Sequence, residues 1–327
     1  MTRVESRTIR YKAWIFNYVG ESKGNENFPN SSKIMGNFGG HALPGSFFIV
    51  FSLWWTIQMF NRYYASLRKN TKFTSTPTYP CTCLCGRFKD FPIESIGKIL
   101  LVVVGLSLEI YTGYNFSVHK FTTPGNAQHA TMFFFFGMSG AIDFLVYLKA
   151  PIPKDLDYVI VLIALSVEAL LFHFHLHGRN ELNVQLHTLL IYTIVFNLIG
   201  VILEMKYRHN VLAALSRAFF FLVQGTWFWQ IGFILYNPNP YAEKWKPDDH
   251  VELTFVTMYF TWHCGINFLI MLAIGSCVAF YQKRFHTNRE DDISMKRLIH
   301  TGTNGQTLIS MGDSEDSDIE YQKPVVR

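Results

Sequence analysis

Residues 156–177 read LDYVIVLIALSVEALLFHFHLH, and this stretch decides how the chain is interpreted. An apolar run of about 20 residues is long enough to cross roughly 30 Å of hydrocarbon as an α-helix. A helix satisfies its own backbone hydrogen bonds, which the lipid interior cannot do. The segment is therefore predicted to span a membrane. It carries Glu168 and several histidines, whose polar side chains are costly at that depth.

The composition of the whole chain is also typical of a membrane protein. Hydrophobic residues make up 49% of the 327 residues and charged residues only 16%, whereas about 25% are charged in an ordinary soluble domain. The net charge of +5 comes mostly from lysines and arginines between the apolar segments, so nucleic-acid binding is not implied. The partner that this composition predicts is the lipid bilayer.

Seven apolar segments have membrane length. We predict an all-α polytopic membrane protein with a seven-transmembrane-helix bundle over 45–282, a polar N-terminal tail and membrane entry over 1–44, and a disordered cytosolic tail over 283–327. The second segment is the least apolar at its core because it contains Lys98 and Glu109. Without it, the chain would cross six times and its topology would reverse. The predicted spans are residues 45–65, 95–115, 129–149, 156–177, 183–205, 212–236 and 252–281.

Lysines and arginines are concentrated in the first, third and fifth connections and after the last segment. Because such residues favour the cytosolic side, we predict the N-terminus outside and the C-terminus in the cytosol. The expected location is a Golgi, endosomal or plasma membrane.

Several residues outside the apolar segments are candidates for modification. Asn30 begins an acceptor pattern for N-glycosylation on the predicted outer side, and Ser314 and Ser317 lie in an acidic tail where phosphorylation is expected. Three cysteines lie close to the membrane in the first connection, where S-palmitoylation is the favoured interpretation and no special role is the alternative. They are Cys81, Cys83 and Cys85.

Ionisable side chains within the predicted spans mark the candidate functional site. Glu168 and His175 are seven residues apart and share a helix face, which favours them as a central pair. The candidate metal ligands are His129, Glu168, His175, His177, His187 and His263. The residues expected to support them are Glu109, Asp143 and Gln224.

Neutral imidazoles with one carboxylate suit zinc or iron. A metal-dependent enzyme acting on a lipid or small molecule is therefore one hypothesis, and a carrier or channel for protons or metal ions is a second. In the third, the polar side chains only hold the bundle together through interhelical hydrogen bonds, and the protein serves in trafficking or as a scaffold. The sequence contains no serine nucleophile elbow, phosphate loop or zincin motif that would decide between them.

Several short motifs lie along the chain, beginning with Met35-Gly-Asn-Phe-Gly-Gly-His41-Ala-Leu-Pro-Gly-Ser-Phe-Phe48 and continuing through Gly137-Met-Ser-Gly-Ala-Ile-Asp143 to Gln224-Gly-Thr-Trp-Phe-Trp-Gln230. These motifs resemble those of the transmembrane protein 45 family. Glu168, His175 and His187 add to the resemblance, which covers about residues 35–281. It implies a multi-pass membrane protein and no defined biochemical activity.

Overall fold

The computed structural model describes residues 38–80 and 91–302, and from residue 285 to 302 it describes the backbone alone. Several predicted modification sites therefore lie outside the described residues. They are Asn30, Cys81, Cys83, Cys85, Ser314 and Ser317.

The described chain is mostly helical, with seven long helices and one short hairpin. The hairpin pairs β1 (Tyr114–Asn115) with the antiparallel strand β2 (Lys120–Phe121). The helices are α1 (Phe38–Arg68), α2 (Ile93–Gly113), α3 (Pro124–Tyr147), α4 (Leu156–His175), α5 (Glu181–Lys206), α6 (Val211–Leu235) and α7 (His250–Gly302).

Six of these helices are long and apolar enough to cross a membrane. The predicted count of seven is therefore not reached by length and composition. The helix outside this set is α2, which has 21 residues and carries Glu94, Lys98 and Glu109. Large apolar side chains cover the outside of the bundle, and on α7 Phe268 and Leu269 are 61% and 62% exposed. Such surfaces suit contact with lipid.

Local signals explain where several helices begin. The side chains of Asn180 and Asn210 accept hydrogen bonds from backbone amides in the first turns of α5 and α6. These N-caps satisfy amide groups that a helix leaves without partners. After α4, Gly178 adopts a positive φ of 77°, a conformation that favours glycine, so the chain can turn directly into α5.

Helix α6 lies at the centre of the bundle and packs against α1, α5 and α7. Its Trp227 is completely buried, and the indole Nε1 donates a hydrogen bond of 3.0 Å to the carbonyl oxygen of Leu186 in α5. Helix α2 packs mainly along α3 and has little contact with α1. A space between α1 and α2 follows from this arrangement.

Both ends of the helical region extend beyond the predicted boundaries. Helix α1 begins at Phe38, within the segment 1–44 that is predicted as a polar tail and membrane entry. Helix α7 continues to Gly302, past the predicted boundary at residue 282. The starting position of α1 matters for function, because it places His41 inside the bundle.

Candidate functional site

Four histidines from four helices come together at one end of the bundle. We call His41, His129, His175 and His187 the histidine group. The ring centroids are 5.9 Å apart for His41 and His187, 5.9 Å for His175 and His187, and 5.7 Å for His129 and His175. The sequence predicts three of these members. It does not predict His41, which precedes the first apolar segment.

Hydrogen bonds orient the rings of two members. Arg179 donates through Nη2 to Nε2 of His175 at 2.8 Å, so the proton of this neutral ring lies on Nδ1, 2.8 Å from Oε1 of Gln128. His187 Nδ1 is 2.9 Å from the carbonyl oxygen of Asn183, to which it donates when its proton lies on Nδ1. Neutral imidazoles held in this way suit hydrogen bonding to a polar ligand or binding to a metal.

The surroundings of Arg179 do not favour a metal ion. Its positive charge beside His175 opposes the approach of a second cation. Among the described residues, no group of three or more histidine, cysteine, aspartate or glutamate side chains is arranged to hold a metal ion. The predicted zinc or iron site thus has no support in this part of the chain.

Three predicted ligands do not join the histidine group. Glu168 and His175 share a face of α4 but lie about 10.5 Å apart along the helix axis, and their hydrogen bonds go to different residues, Gln224 for Glu168 and Arg179 for His175. His177 follows the end of α4 and is exposed to its surroundings. His263 lies on α7, where its Nε2 is 3.4 Å from Oε1 of Gln230.

Glu109 and Asp143 are two of the residues predicted to support the histidines, and they contact different side chains. Glu109 does reach the group, because its Oε1 lies 3.3 Å from Nδ1 of His129. Asp143 instead accepts a hydrogen bond of 2.7 Å from the ammonium group of Lys98. Asp143 therefore belongs to a separate ion pair.

Gln224 links two other polar side chains in the middle of the bundle. Its Nε2 donates to Oε1 of Glu168 at 2.9 Å, and its Oε1 accepts from Nδ2 of Asn197. All three residues are buried. The second carboxyl oxygen of Glu168, Oε2, is also buried and has no hydrogen-bond partner in the described part of the chain.

A second polar cluster surrounds Glu94 near the beginning of α2. The indole groups of Trp54 and Trp55 donate to its two carboxyl oxygens at 3.2 and 2.7 Å, and the amide of Tyr79 donates at 2.9 Å. Lys98 lies 3.2 Å from the same carboxylate. The carboxylates of Glu94 and Asp143 balance the positive charge of Lys98. In the sequence, Lys98 is evident only as a charged residue that interrupts an apolar segment.

A buried ion pair between α5 and α6 lies beside this cluster. The guanidinium of Arg217 donates to both carboxyl oxygens of Glu204 and lies 4.2 Å above the ring of Trp55. The loop after α1 covers the cluster. Burial raises the pKa of the Tyr79 phenol in this loop above its ordinary value, and the Glu204 carboxylate acts in the same direction. The sequence analysis did not predict the Arg217–Glu204 ion pair, although an arginine inside an apolar segment indicates a buried ionic contact.

An apolar cavity of about 120 Å³ joins these polar regions. Phenylalanine side chains form much of its wall, and His41, His129 and Glu109 lie at one end. Glu168 also lines it, and Lys98 and Arg217 lie towards the other end. The phenylalanine wall consists of Phe47, Phe48, Phe51, Phe133, Phe136, Phe172, Phe221 and Phe228.

Comparison with known proteins supports the membrane assignment. The profile of a family of unknown function (DUF716) matches residues 154–276. The chain is similar to transmembrane epididymal proteins. It is 24% identical to transmembrane epididymal protein 1A of Mus musculus over 313 residues, which cover 89% of this chain and 97% of the mouse protein. It is 26% identical to transmembrane epididymal protein 1 of Homo sapiens over 206 residues, which cover 62% of this chain and 74% of the human protein.

These findings correct the family suggested by the short motifs. The matches are to DUF716 and to transmembrane epididymal proteins, so the assignment to the transmembrane protein 45 family is wrong. Single motifs of small and aromatic residues are common in helical membrane bundles, which weakens them as family markers. Together with the six apolar helices, the matches show an integral, multi-pass membrane protein.

Proposed function

We propose that this protein binds a membrane-soluble amphiphile in the cavity between its helices. The observation that carries the proposal is an apolar, aromatic-walled cavity lined by Glu168, whose buried Oε2 has no hydrogen-bond partner among the described residues. Ligand sites in proteins are mostly apolar and contain a few well-placed polar groups that orient the ligand. The hydrocarbon part of the ligand would contact the phenylalanine wall.

The shape of the cavity also suits an elongated ligand. Lys98 and Glu109 both line it and both lie on α2, where eleven residues correspond to about 16 Å along the axis. The limited contact between α1 and α2 favours entry from the lipid through the side of the bundle. At the far end, the histidine group offers further hydrogen-bonding groups to a polar part of the ligand.

Saturable labelling by a photoreactive probe tests this function. Full-length protein in lipid nanodiscs is illuminated with diazirine-bearing decanol, with and without excess decanol. We expect labelled peptides from the cavity wall, and labelling that Val161→Trp strongly reduces because the larger side chain fills the cavity.

The matched control is Val159→Trp, which enlarges a side chain on the exposed face of the same helix. The probe should label this variant to the same extent as the wild type. Labelling that excess decanol does not reduce, or that falls equally in both variants, would contradict amphiphile binding in the cavity.

The proposal includes seven membrane crossings, with the N-terminus outside and the C-terminus in the cytosol. Helix α2 is 21 residues long and packs along α3. The charge of Lys98 is balanced by Glu94 and Asp143, which lowers the cost of placing α2 in lipid. Residence in a Golgi, endosomal or plasma membrane stays a prediction from the sequence.

Glycosylation mapping tests this topology. An Asn-Ser-Thr acceptor inserted after Lys244, between α6 and α7, should gain a glycan, because seven crossings place this loop outside. The same insertion after Lys154, between α3 and α4, should stay unmodified. If α2 does not cross, all later connections change sides and the two results are exchanged.

A further inference from the structure

Buried acidic side chains outnumber buried lysines and arginines in the bundle. Among the described residues, four acidic side chains and two lysine or arginine side chains are buried, besides the histidines His41 and His187. The acidic residues are Glu94, Asp143, Glu168 and Glu204, and the other two are Lys98 and Arg217. A buried charge is costly unless it is paired and hydrogen-bonded. A buried acidic side chain without a cationic neighbour is therefore stabilised in its ionised form by a cationic ligand.

The ion pairs show which of the four buried acidic side chains contacts neither Lys98 nor Arg217. Lys98 contacts both Glu94 and Asp143, at 3.2 and 2.7 Å, and Arg217 binds Glu204. Within the described part of the chain, Glu168 contacts the neutral amide of Gln224 and no basic side chain.

Of the four buried acidic residues, Glu168 is also the one that lines the cavity. Only 2% of its surface is exposed, its Oε1 is held by Gln224, and its Oε2 has no hydrogen-bond partner among the described residues. Because Gln224 in turn accepts from Asn197, the carboxyl group is held in one orientation. A fixed carboxylate in an apolar cavity suits a hydrogen-bonding cation on an apolar body.

We propose that the ligand is a long-chain amine whose ammonium group pairs with Glu168 while its hydrocarbon chain lies against the phenylalanine wall. The inference rests on the proposed amphiphile-binding function and names the chemical class of the ligand. The ammonium group donates to Oε2 of Glu168, and no covalent step takes place. Lys98 and Arg217 do not compete for this carboxylate, because each already has an acidic partner.

Matched alkyl ligands test the proposal. Unlabelled decylamine and decanol displace the photoreactive decanol from full-length protein in nanodiscs of uncharged phosphatidylcholine. Because these nanodiscs contain no acidic lipid, the bilayer does not attract the amine electrostatically. We expect the wild type to bind decylamine tighter than decanol by roughly tenfold or more, because a buried ion pair forms only with the amine.

Glu168→Gln keeps the shape of the side chain and an oxygen that accepts from Gln224, but removes its charge. It should weaken decylamine binding by roughly tenfold or more while decanol binding changes by less than about twofold. Retained decanol binding also shows that the variant is folded.

Glu109→Gln is the matched control, since Glu109 also lines the cavity but contacts His129. It should leave the preference for decylamine intact. The proposal is overturned if Glu168→Gln leaves decylamine binding unchanged, if it weakens both ligands equally, or if Glu109→Gln removes the preference instead. Absence of saturable decanol binding in the wild type would instead overturn the proposed amphiphile-binding function.

Discussion

Replacing Arg217 with methionine is expected to destabilise the protein by about 3–5 kcal/mol, because the change leaves the buried carboxylate of Glu204 without its cation. The guanidinium also lies 4.2 Å above the ring of Trp55, a contact that the variant loses. The free energy of unfolding of Arg217→Met in mixed detergent and SDS micelles measures this effect.

Two further variants separate charge from packing. Arg208→Met removes a cation from the partly exposed pair with Asp155, so it should cost at most about 1 kcal/mol. Combining Arg217→Met with Glu204→Leu removes both buried charges and should restore most of the lost stability. A double variant as unstable as Arg217→Met alone would show that the charge of Glu204 is not the cause.

Gly225→Ala is expected to destabilise the bundle by about 1–3 kcal/mol, through overpacking where α1 crosses α6. A Cβ atom at this position would lie 2.8 Å from the carbonyl oxygen of Gly45 and 2.8 Å from the amide nitrogen of Ile49. Both are backbone atoms, so the helices themselves must move apart. The same unfolding measurement in micelles tests the prediction.

Gly265→Ala is the matched control for this substitution. Gly265 lies within α7, and a Cβ atom there would meet nothing within 4 Å. Alanine is preferred over glycine in a helix by roughly 0.5–1 kcal/mol, so this variant should be as stable as the wild type or slightly more stable. If both alanine variants change stability in the same direction and by the same amount, close packing at Gly225 is not responsible.

The helices were predictable because each depends on a continuous segment. Apolar runs of membrane length and terminal residues such as Asn180 act over a few residues, and each of the seven predicted segments lies almost entirely within one helix of the structure. The meeting of His175 and His187 also follows from the sequence, since a short turn joins α4 to α5. His41 was missed because its position depends on how α1 packs against α6.

The predicted role of Glu168 shows where a helix pattern is insufficient. Its place on the same face as His175 is a property of one helix, but their separation along the axis prevents contact. Its actual partner, Gln224, is 56 residues away and belongs to α6. Likewise, Lys98 interrupts an apolar segment in the sequence, whereas in the fold it is neutralised by Asp143 from α3.

The sequence by itself determined that this chain forms apolar helices, and that a few ionisable side chains would be buried among them. Those properties follow from segment length, hydrophobicity and short-range hydrogen bonding. Only the tertiary structure decided which buried charges are paired, that His41 completes the histidine group, and that Glu168 borders a cavity. Helices of similar apolar character can be arranged around a bundle in many orders, and interhelical contacts depend on which order is adopted.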